Sequence, residues 1–463
     1  MTFSVLQPWI HSSPKSFQLI LKWSGRSIVT VAYFAMAILY LSMVPLSLLA
    51  CYQFYTQHNY ILSGFTGYLF IECVFVTLMK VKYTFFQTLS KDNVPCISQR
   101  TLNTFLKEYE LYEEGEEPWI TGWFLGATLD QITLEDVQEL MTAFFYNTLI
   151  HDLNAKQRHN VNKTVSIIQS KLPIQLKHRR LNQKPLPRIG LTLDNPNIIY
   201  RPLIFYVGVG FTYLVGRMYL LIRGFKRSTG KSIRLYSRTG TSTEPNLVFF
   251  HGLGIGIAAY ITLVEGLVSK YPNRNILLFE MPYVSMRLND EFLLPKQFAD
   301  QVSKELRSRG FTKNILIGHS FGTACVRWMD LFHSDIIHAR IFIDPMCFQL
   351  FTHHMVYNAL YRPASKFHEV IVKDVAMGEA GIATFFHRHF VWFQNTYFTH
   401  DLPENCILYL SEDDVIVEVD VLTKYLKKTP CKSRRVVTVK GFFHGQILFS
   451  PELLHMLAEI ARF

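Results

Sequence analysis

The C-terminal half of this 463-residue chain predicts an α/β domain, a mostly parallel sheet with helices on both faces, and the N-terminal part predicts a transmembrane hairpin. Two observations carry this. Past residue 230, short apolar runs at 246–250, 275–279, 314–317, 339–343, 406–410 and 435–439 alternate with helical stretches, as in a sheet whose parallel strands are joined by helices. Upstream, no Asp, Glu, Lys or Arg occurs from Ser27 to Ile71, and a bilayer crossing takes about 20 apolar residues.

Composition agrees with both. With 49% apolar residues, 37 Phe and 23 Tyr, the chain carries more apolar surface than a soluble core needs, and lipid contact is the simplest use for it. The net charge of +11 sits beside apolar segments and not in an aromatic-interleaved basic face. An anionic membrane surface is therefore the expected partner, and nucleic acid is not. Seven scattered cysteines with no C-x-x-C pair indicate neither a disulfide framework nor a zinc site.

The elements follow in chain order. Residues 1–26 are a polar, basic N-terminus. Residues 27–82 read as the hairpin, with apolar blocks at 28–51 and 60–79 joined by a polar bridge from Tyr52 to Asn59. Lys15, Lys22 and Arg26 precede it and Lys80, Lys82 and Lys91 follow it, so both ends are expected in the cytosol. Glu72, inside the second block, is expected to find a partner or stay protonated. Residues 83–200 read as a helical accessory segment and basic linker. They hold the acidic run Glu113–Glu117, then Trp119 and Trp123, the helical spacing Leu134, Val137, Leu140, Met141, Phe144, and the basic string from Lys177 to Arg180. Residues 201–225 contain a third apolar block, Leu203 to Ile222, interrupted by Arg217. Six basic residues from Arg223 to Arg238 follow it and resist translocation. A membrane-embedded or in-plane helix is therefore expected ahead of a full span, with the following domain in the cytosol. Residues 226–463 are the α/β domain, with a cap-like insertion at about 345–405.

Within that domain the residues after each strand carry the chemistry, because parallel sheets gather function at strand C-termini. Gly318-His319-Ser320-Phe321-Gly322 lies between a strand-like run and a helix-like run. The string alone would arise by chance roughly 0.1 times in a chain this long, but a sharp strand-to-helix turn is the setting in which a serine oxygen stands clear for a base. His251-Gly252-Leu253-Gly254-Ile255-Gly256 follows an earlier strand. Its N–H groups, Leu253 first, would meet a developing oxyanion together with the N–H of Phe321. The dinucleotide and Walker phosphate-loop patterns both fail here. Asp414 is the expected acid, with Asp413 and Asp344 as alternatives, and His444 is the expected base. In the insertion, Phe348, Phe351, Phe385, Phe386, Phe390 and neighbouring aromatics suit either an acyl-binding cap or its own core. The histidine pairs there match no known zinc spacing, so no metal or cofactor is expected.

On His251-Gly252, Gly318-x-Ser320-x-Gly322, Asp414 and His444, residues 232–463 resemble the α/β-hydrolase superfamily. The strings Glu280 to Arg287 and Tyr357 to Arg362 are similar to those of a membrane-associated subgroup from eukaryotic microbes. The resemblance implies an eight-stranded sheet and Ser-His-Asp catalysis by Ser320, His444 and Asp414. Joined to the apolar N-terminal segments, this leads to the expectation of a membrane-anchored serine hydrolase, esterase- or lipase-like, acting on a carboxylic ester such as a lipid or acylglycerol, which a bilayer would deliver to the site. An acyltransferase, thioesterase or amidase would use the same triad. A non-catalytic membrane scaffold on the same fold is the reading from another class.

Overall fold

The computed structural model describes residues 45–88, 95–112, 119–228, 233–289 and 291–463. The basic N-terminus, the first hairpin block up to residue 44 and the acidic run at 113–117 lie outside them. Two compact units are present, Met1–Thr88 with Pro202–Ile204, and Leu89–Arg201 with Phe205–Phe463.

In the first unit, helix α1 (residues 45–56) turns through His58 at φ 56° into helix α2 (Tyr60–Thr88). The Ser63 hydroxyl donates to the Cys51 carbonyl at 3.2 Å, which holds the two helices together beside the turn. Glu72 has found partners, accepting from the Tyr68 hydroxyl and from the Leu203 N–H, each at 3.0 Å. The stretch Tyr60–Lys82 is long and apolar enough to cross a membrane, as is Leu203–Ile222.

The second unit is built on an eight-stranded sheet in the order β1-β2-β4-β3-β5-β6-β7-β8. The strands are β1 Lys226–Ser228, β2 Arg234–Arg238, β3 Asn246–Phe250, β4 Ile276–Glu280, β5 Asn314–His319, β6 Ile337–Ile343, β7 Cys406–Ser411 and β8 Arg434–Val439. β1 and β2 pair antiparallel, as do β2 and β4, and every other pairing is parallel. β3, β4, β5 and β7 are buried along their whole length. That burial on both faces is why their sequences read as unbroken apolar runs and do not alternate. Helices α7 (Ile261–Lys270), α8 (Pro295–Ser308), α9 (Gly322–His333), α11 (Val419–Lys427) and α12 (Glu452–Glu459) follow successive strands.

Register sets the site. Phe250 stands opposite Gly318, and His319 opposite Ile343. The loops after β3, β5 and β6 therefore leave the sheet side by side.

The accessory helices α3 (Gln99–Glu110), α4 (Leu134–Tyr146) and α5 (Ala155–Lys171) fold onto the cap, which contains α10 (Ala380–Arg388). Phe144 stacks on Trp392 with ring centroids 4.3 Å apart. The indoles of Trp392 and Trp119 donate across the boundary to the carbonyls of Phe144 (2.8 Å) and Phe351 (3.0 Å). Trp392 and Phe351 of the cap thus pack against the accessory segment, a contact between residues up to 248 positions apart, while Phe385 and Phe386 pack against Phe321 beside the elbow. The basic linker is folded as well. Arg179 pairs with buried Asp136 and with Glu139 of α4, while the exposed His178 reaches Glu135 at 2.8 Å.

Candidate active site

Ser320 sits between β5 and α9 with φ 51°, in the left-handed region that a non-glycine residue occupies at a cost of about 1–3 kcal/mol. Its N–H donates to the Ile343 carbonyl at 2.9 Å, tying the turn to the end of β6. Two glycines make the turn sterically possible. A Cβ at Gly318 would stand 2.7 Å from the Gly322 carbonyl oxygen, and one at Gly322 only 2.0 Å from the Phe250 carbonyl oxygen. Both neighbours are backbone and cannot swing aside. Gly322→Ala is therefore expected to destabilise the domain by about 3 kcal/mol or more, as overpacking against fixed atoms does, read as a lowered urea midpoint.

The imidazole of His444 faces the elbow. Its Nε2 lies 2.9 Å from Ser320 Oγ and its Nδ1 2.7 Å from Asp414 Oδ2. With Nδ1–H donating to the carboxylate, Nε2 accepts from the serine hydroxyl, which is the tautomer a general base needs. The other oxygen of Asp414 accepts from the N–H groups of Ile416 (2.8 Å) and Val417 (3.0 Å), so the carboxylate is held from both ends. Side-chain exposure is 6% for His444 and 1% for Asp414. Burial opposes a charge on His444, but the Asp414 carboxylate, by charge and hydrogen bond, and the Asp344 charge outweigh it, and its pKa is raised to about 9.

The two alternative acids part company here. Asp413 is exposed, its N–H bonded to the Phe442 carbonyl. Asp344 is buried next to the pair and accepts from the N–H groups of Ser411 (2.9 Å) and Gly445 (2.6 Å). It thereby fastens the two loops that deliver Asp414 and His444. Burial and the nearby Asp414 charge push its pKa up to about 6. Asp344, Asp414 and His444 bring ligand-type atoms within 4.8 Å of one another, as a metal site would. Each carboxylate oxygen already accepts from a protein donor, however, which is the pattern of a hydrogen-bonded network.

Facing Ser320 from the other side is the glycine-rich loop after β3. A Cβ at Gly252 would stand 3.0 Å from Ser320 Cβ, so the loop approaches as closely as glycine allows. Leu253 follows at once, and the Gly254 N–H is tied to the Val284 carbonyl at 3.2 Å. Phe321 caps the N-terminus of α9, where the first N–H groups have no intrahelical acceptor.

Three side chains that the sequence did not single out for this role hold the loop. The Tyr260 hydroxyl accepts from the Gly252 N–H and donates to His319 Nδ1, both at 2.8 Å. His251 accepts from the Met281 N–H at 2.9 Å and donates to the Gly252 carbonyl at 2.6 Å. Burial pushes the His251 pKa down to about 4, so it stays neutral, as does His319, held well below the usual range by burial and then by its neighbours His444 and His251. Glu280, ending β4, is buried beside Gly256, where a Cβ would meet its carboxylate at 2.7 Å, and pairs with Arg287 at 3.1 Å. Nothing in spacing flags Tyr260, which lies 59 residues from His319. Tyr260→Phe leaves the Gly252 N–H buried without an acceptor, at a cost of about 1–3 kcal/mol. A displaced donor should cost less than the roughly 10²–10³ in kcat seen when one is deleted. A fall of about tenfold in kcat with little change in KM is expected from steady-state kinetics.

A partly open, mostly apolar cavity of about 60 Å³ lies between the cap and the accessory segment. Met346, whose N–H donates to Thr323 Oγ1, and Phe386, whose ring is 6.0 Å from that of Phe321, are among its walls.

A central parallel sheet in this strand order, with a serine elbow after β5, an acid after β7 and a histidine after β8, is the arrangement of the α/β-hydrolase fold, and the chain has that fold. No protein-family model matches it, and no curated protein matches it in sequence. Among solved structures it is similar to a membrane phospholipase A described as a bacterial virulence factor, at 13% identity and a TM-score of 0.40, over 56% of this chain and 93% of that one. It is also similar to a carboxylesterase from Bacillus subtilis, at 12% identity and a TM-score of 0.39, over 55% of this chain and 97% of that one. A third is an epoxide hydrolase from Vigna radiata, at 12% identity and a TM-score of 0.39, over 52% and 98%. The fold assignment rests on the strand order and the elbow.

Proposed function

We propose that the protein is a membrane-anchored serine hydrolase that cleaves a carboxylic ester of a lipid or acylglycerol. One observation carries the chemistry: Ser320 Oγ, His444 and Asp414 form a continuous hydrogen-bonded relay at 2.9 and 2.7 Å. In this reading His444 takes the Ser320 proton as Oγ attacks the ester carbonyl. The N–H groups of Leu253 and Phe321 meet the oxyanion. The tetrahedral adduct then expels the alcohol, which takes the proton from His444, and leaves an acyl ester on Ser320. His444 next deprotonates a water, which attacks that ester, and the acid leaves as Oγ regains its proton. Asp414 holds the imidazolium in both steps.

Support for the membrane comes from the two helices of membrane-crossing length and from the basic residues at their ends, Lys80 and Lys82, then Arg223, Lys226 and Arg227. That asymmetry favours a hydrolase domain on the cytosolic side. An ester that stays in the bilayer then reaches the site without crossing water. The test supplies acylglycerols and phospholipids of graded chain length in mixed micelles and measures the free acid released. Release of acid in water is expected. Release only when an added alcohol accepts the acyl group would make the protein an acyltransferase, and no turnover of any ester would remove the hydrolase reading.

A further inference from the structure

Helix α6 (Leu203–Ile222) has the length and composition of a membrane span, and its two faces are used differently. On one face the hydrolase unit grips it from end to end. The Tyr206 hydroxyl donates to Glu379 at 2.9 Å. The Arg287 guanidinium stacks 3.4 Å from the centre of the Tyr213 ring, and the Tyr236 hydroxyl donates to the Tyr213 hydroxyl at 3.1 Å. Gly216 meets Ala258 so closely that a Cβ there would stand 2.9 Å from the alanine methyl. Leu220 is buried in the core beneath the sheet, and Arg223, just past the helix, pairs with Glu265 at 2.6 Å. Positions 206, 209, 213, 216 and 220 fall on one side of a helix of 3.6 residues per turn.

The opposite side carries Val207, Phe211, Leu214, Met218 and Ile222, between 48% and 80% exposed. They recur at steps of three and four residues and form one apolar stripe roughly 22 Å long at about 1.5 Å per residue. A stripe of that length on a soluble surface marks an interaction site. Arg217 lies on its flank, and Lys226 and Arg227 follow its C-terminal end, next to the Arg223 that Glu265 already holds.

We propose that α6 does not cross the bilayer but lies in its surface, as a one-sided docking helix with its stripe among the acyl chains and its other face on the hydrolase unit. This rests on the membrane reading above. Were α6 to span with this packing intact, the pairs Arg287–Glu280 and Arg223–Glu265, together with Glu379 and the short 3-10 helix Gly256–Tyr260, would be carried into hydrocarbon, where charge is costly even when it is paired. Laid flat, the helix keeps those partners in the headgroup region and presents only apolar side chains to the acyl chains. The basic flank complements an anionic leaflet. Ala258, under Gly216, belongs to the same short segment as Tyr260, whose hydroxyl fixes Gly252 beside Ser320. The docked helix is therefore one layer of side chains from the loop that faces the reacting serine.

The experiment uses the full chain in bilayers of phosphatidylcholine and phosphatidylserine. Cys51, Cys73, Cys96 and Cys431 are replaced by serine, the buried Cys325, Cys347 and Cys406 are kept, and a single environment-sensitive fluorophore is placed in turn at Val207, Phe211, Met218 and Ile222. All four positions are exposed, so the labels disturb no packing. Lipids carrying a spin label near the headgroup should quench all four more strongly than lipids labelled at the acyl terminus, at one common depth of about 5–10 Å. Asn197→Cys and Lys226→Cys, exposed on either side of the helix, should react with an impermeant thiol reagent from the same side. Deep quenching at Phe211 and Met218 with the two ends reactive from opposite sides would establish a span and overturn the proposal. So would absence of lipid quenching together with cross-linking between copies, which would make the stripe a dimer contact. Fluorophosphonate labelling of Ser320 in the same samples reports folding and the hydrolase reading separately from the membrane result.

Discussion

Ser320→Ala is expected to lower kcat for ester hydrolysis by about 10⁵–10⁶-fold while leaving substrate binding and the melting temperature close to the parent values. The magnitude follows from how such relays behave: removing the nucleophile of a serine protease triad costs on the order of 10⁶ in kcat, because the remaining groups act only through it. Binding should survive, since the hydroxyl makes no contact that holds the loop. The glycine-rich loop is held by Tyr260, His251 and Glu280, and the elbow by the Ser320 N–H, which alanine retains. Steady-state rates at a known protein concentration and a thermal melt on the same preparation separate the two. A variant that keeps more than about a hundredth of the parent rate would be incompatible with attack by Ser320.

Asp414→Asn carries the second large effect, a loss of about 10⁴ in kcat with the fold retained. An amide in place of the carboxylate leaves the imidazole free to adopt the other tautomer, with no negative charge to hold the imidazolium. It also changes the pH dependence, and the sign can be worked out. Catalysis needs neutral His444. Its pKa in the folded protein is raised to about 9, above the ordinary 6.5, so kcat/KM should climb with pH along a limb displaced to the alkaline side of 6.5. Removing the Asp414 charge should bring that limb down toward neutrality. The same shift stabilises the fold by linkage: the charged pair contributes fully below about pH 6.5 and the contribution fades as pH rises through about 9. Asp413→Asn, at an exposed position, should leave both rate and profile unchanged, since Asp414 is the carboxylate bonded to the imidazole. Asp344→Asn should move the limb down by a smaller amount, because Asp344 is the lesser of the two charges that raise His444.

How much of this could be read from sequence depended on whether the signal was local. The parallel strands stood out as apolar runs, β3, β4, β5 and β7 because they are buried on both faces, and the observed ends of all six fall within three residues of the runs. β1 and β2 did not stand out. They are short, lie at one edge and carry Lys226, Arg227, Arg234 and Arg238, the charges that suit an edge and hide it from a hydrophobic pattern. Ser320 and His444 were legible from strand-end position. The preference for Asp414 over Asp413 took the offset from Ser411 together with the following Val415-Ile416-Val417, a string similar to that of related hydrolases. Asp344 was visible only as a strand-end acid, and its place between the N–H groups of Ser411 and Gly445 depends on β6, β7 and β8 lying side by side. Tyr260 and the pairing of Phe144 with Trp392 join residues far apart in the chain, and no spacing rule reaches them. The faces of α6 were hidden for a different reason. Both are apolar in composition, and only the packing of Tyr206, Tyr213 and Gly216 shows which one the protein keeps for itself.

The central claim is that Ser320 becomes acylated, and the most direct measurement is the site of covalent capture by a fluorophosphonate. The full-length protein is treated with the reagent, digested and examined by mass spectrometry for the peptide that spans the β5–α9 turn. The structure predicts a single phosphonyl adduct on Ser320, formed more slowly as pH falls and His444 protonates, and lost in His444→Ala. An unmodified Ser320 in protein shown to be folded, or an adduct on another residue that persists in Ser320→Ala, would contradict it.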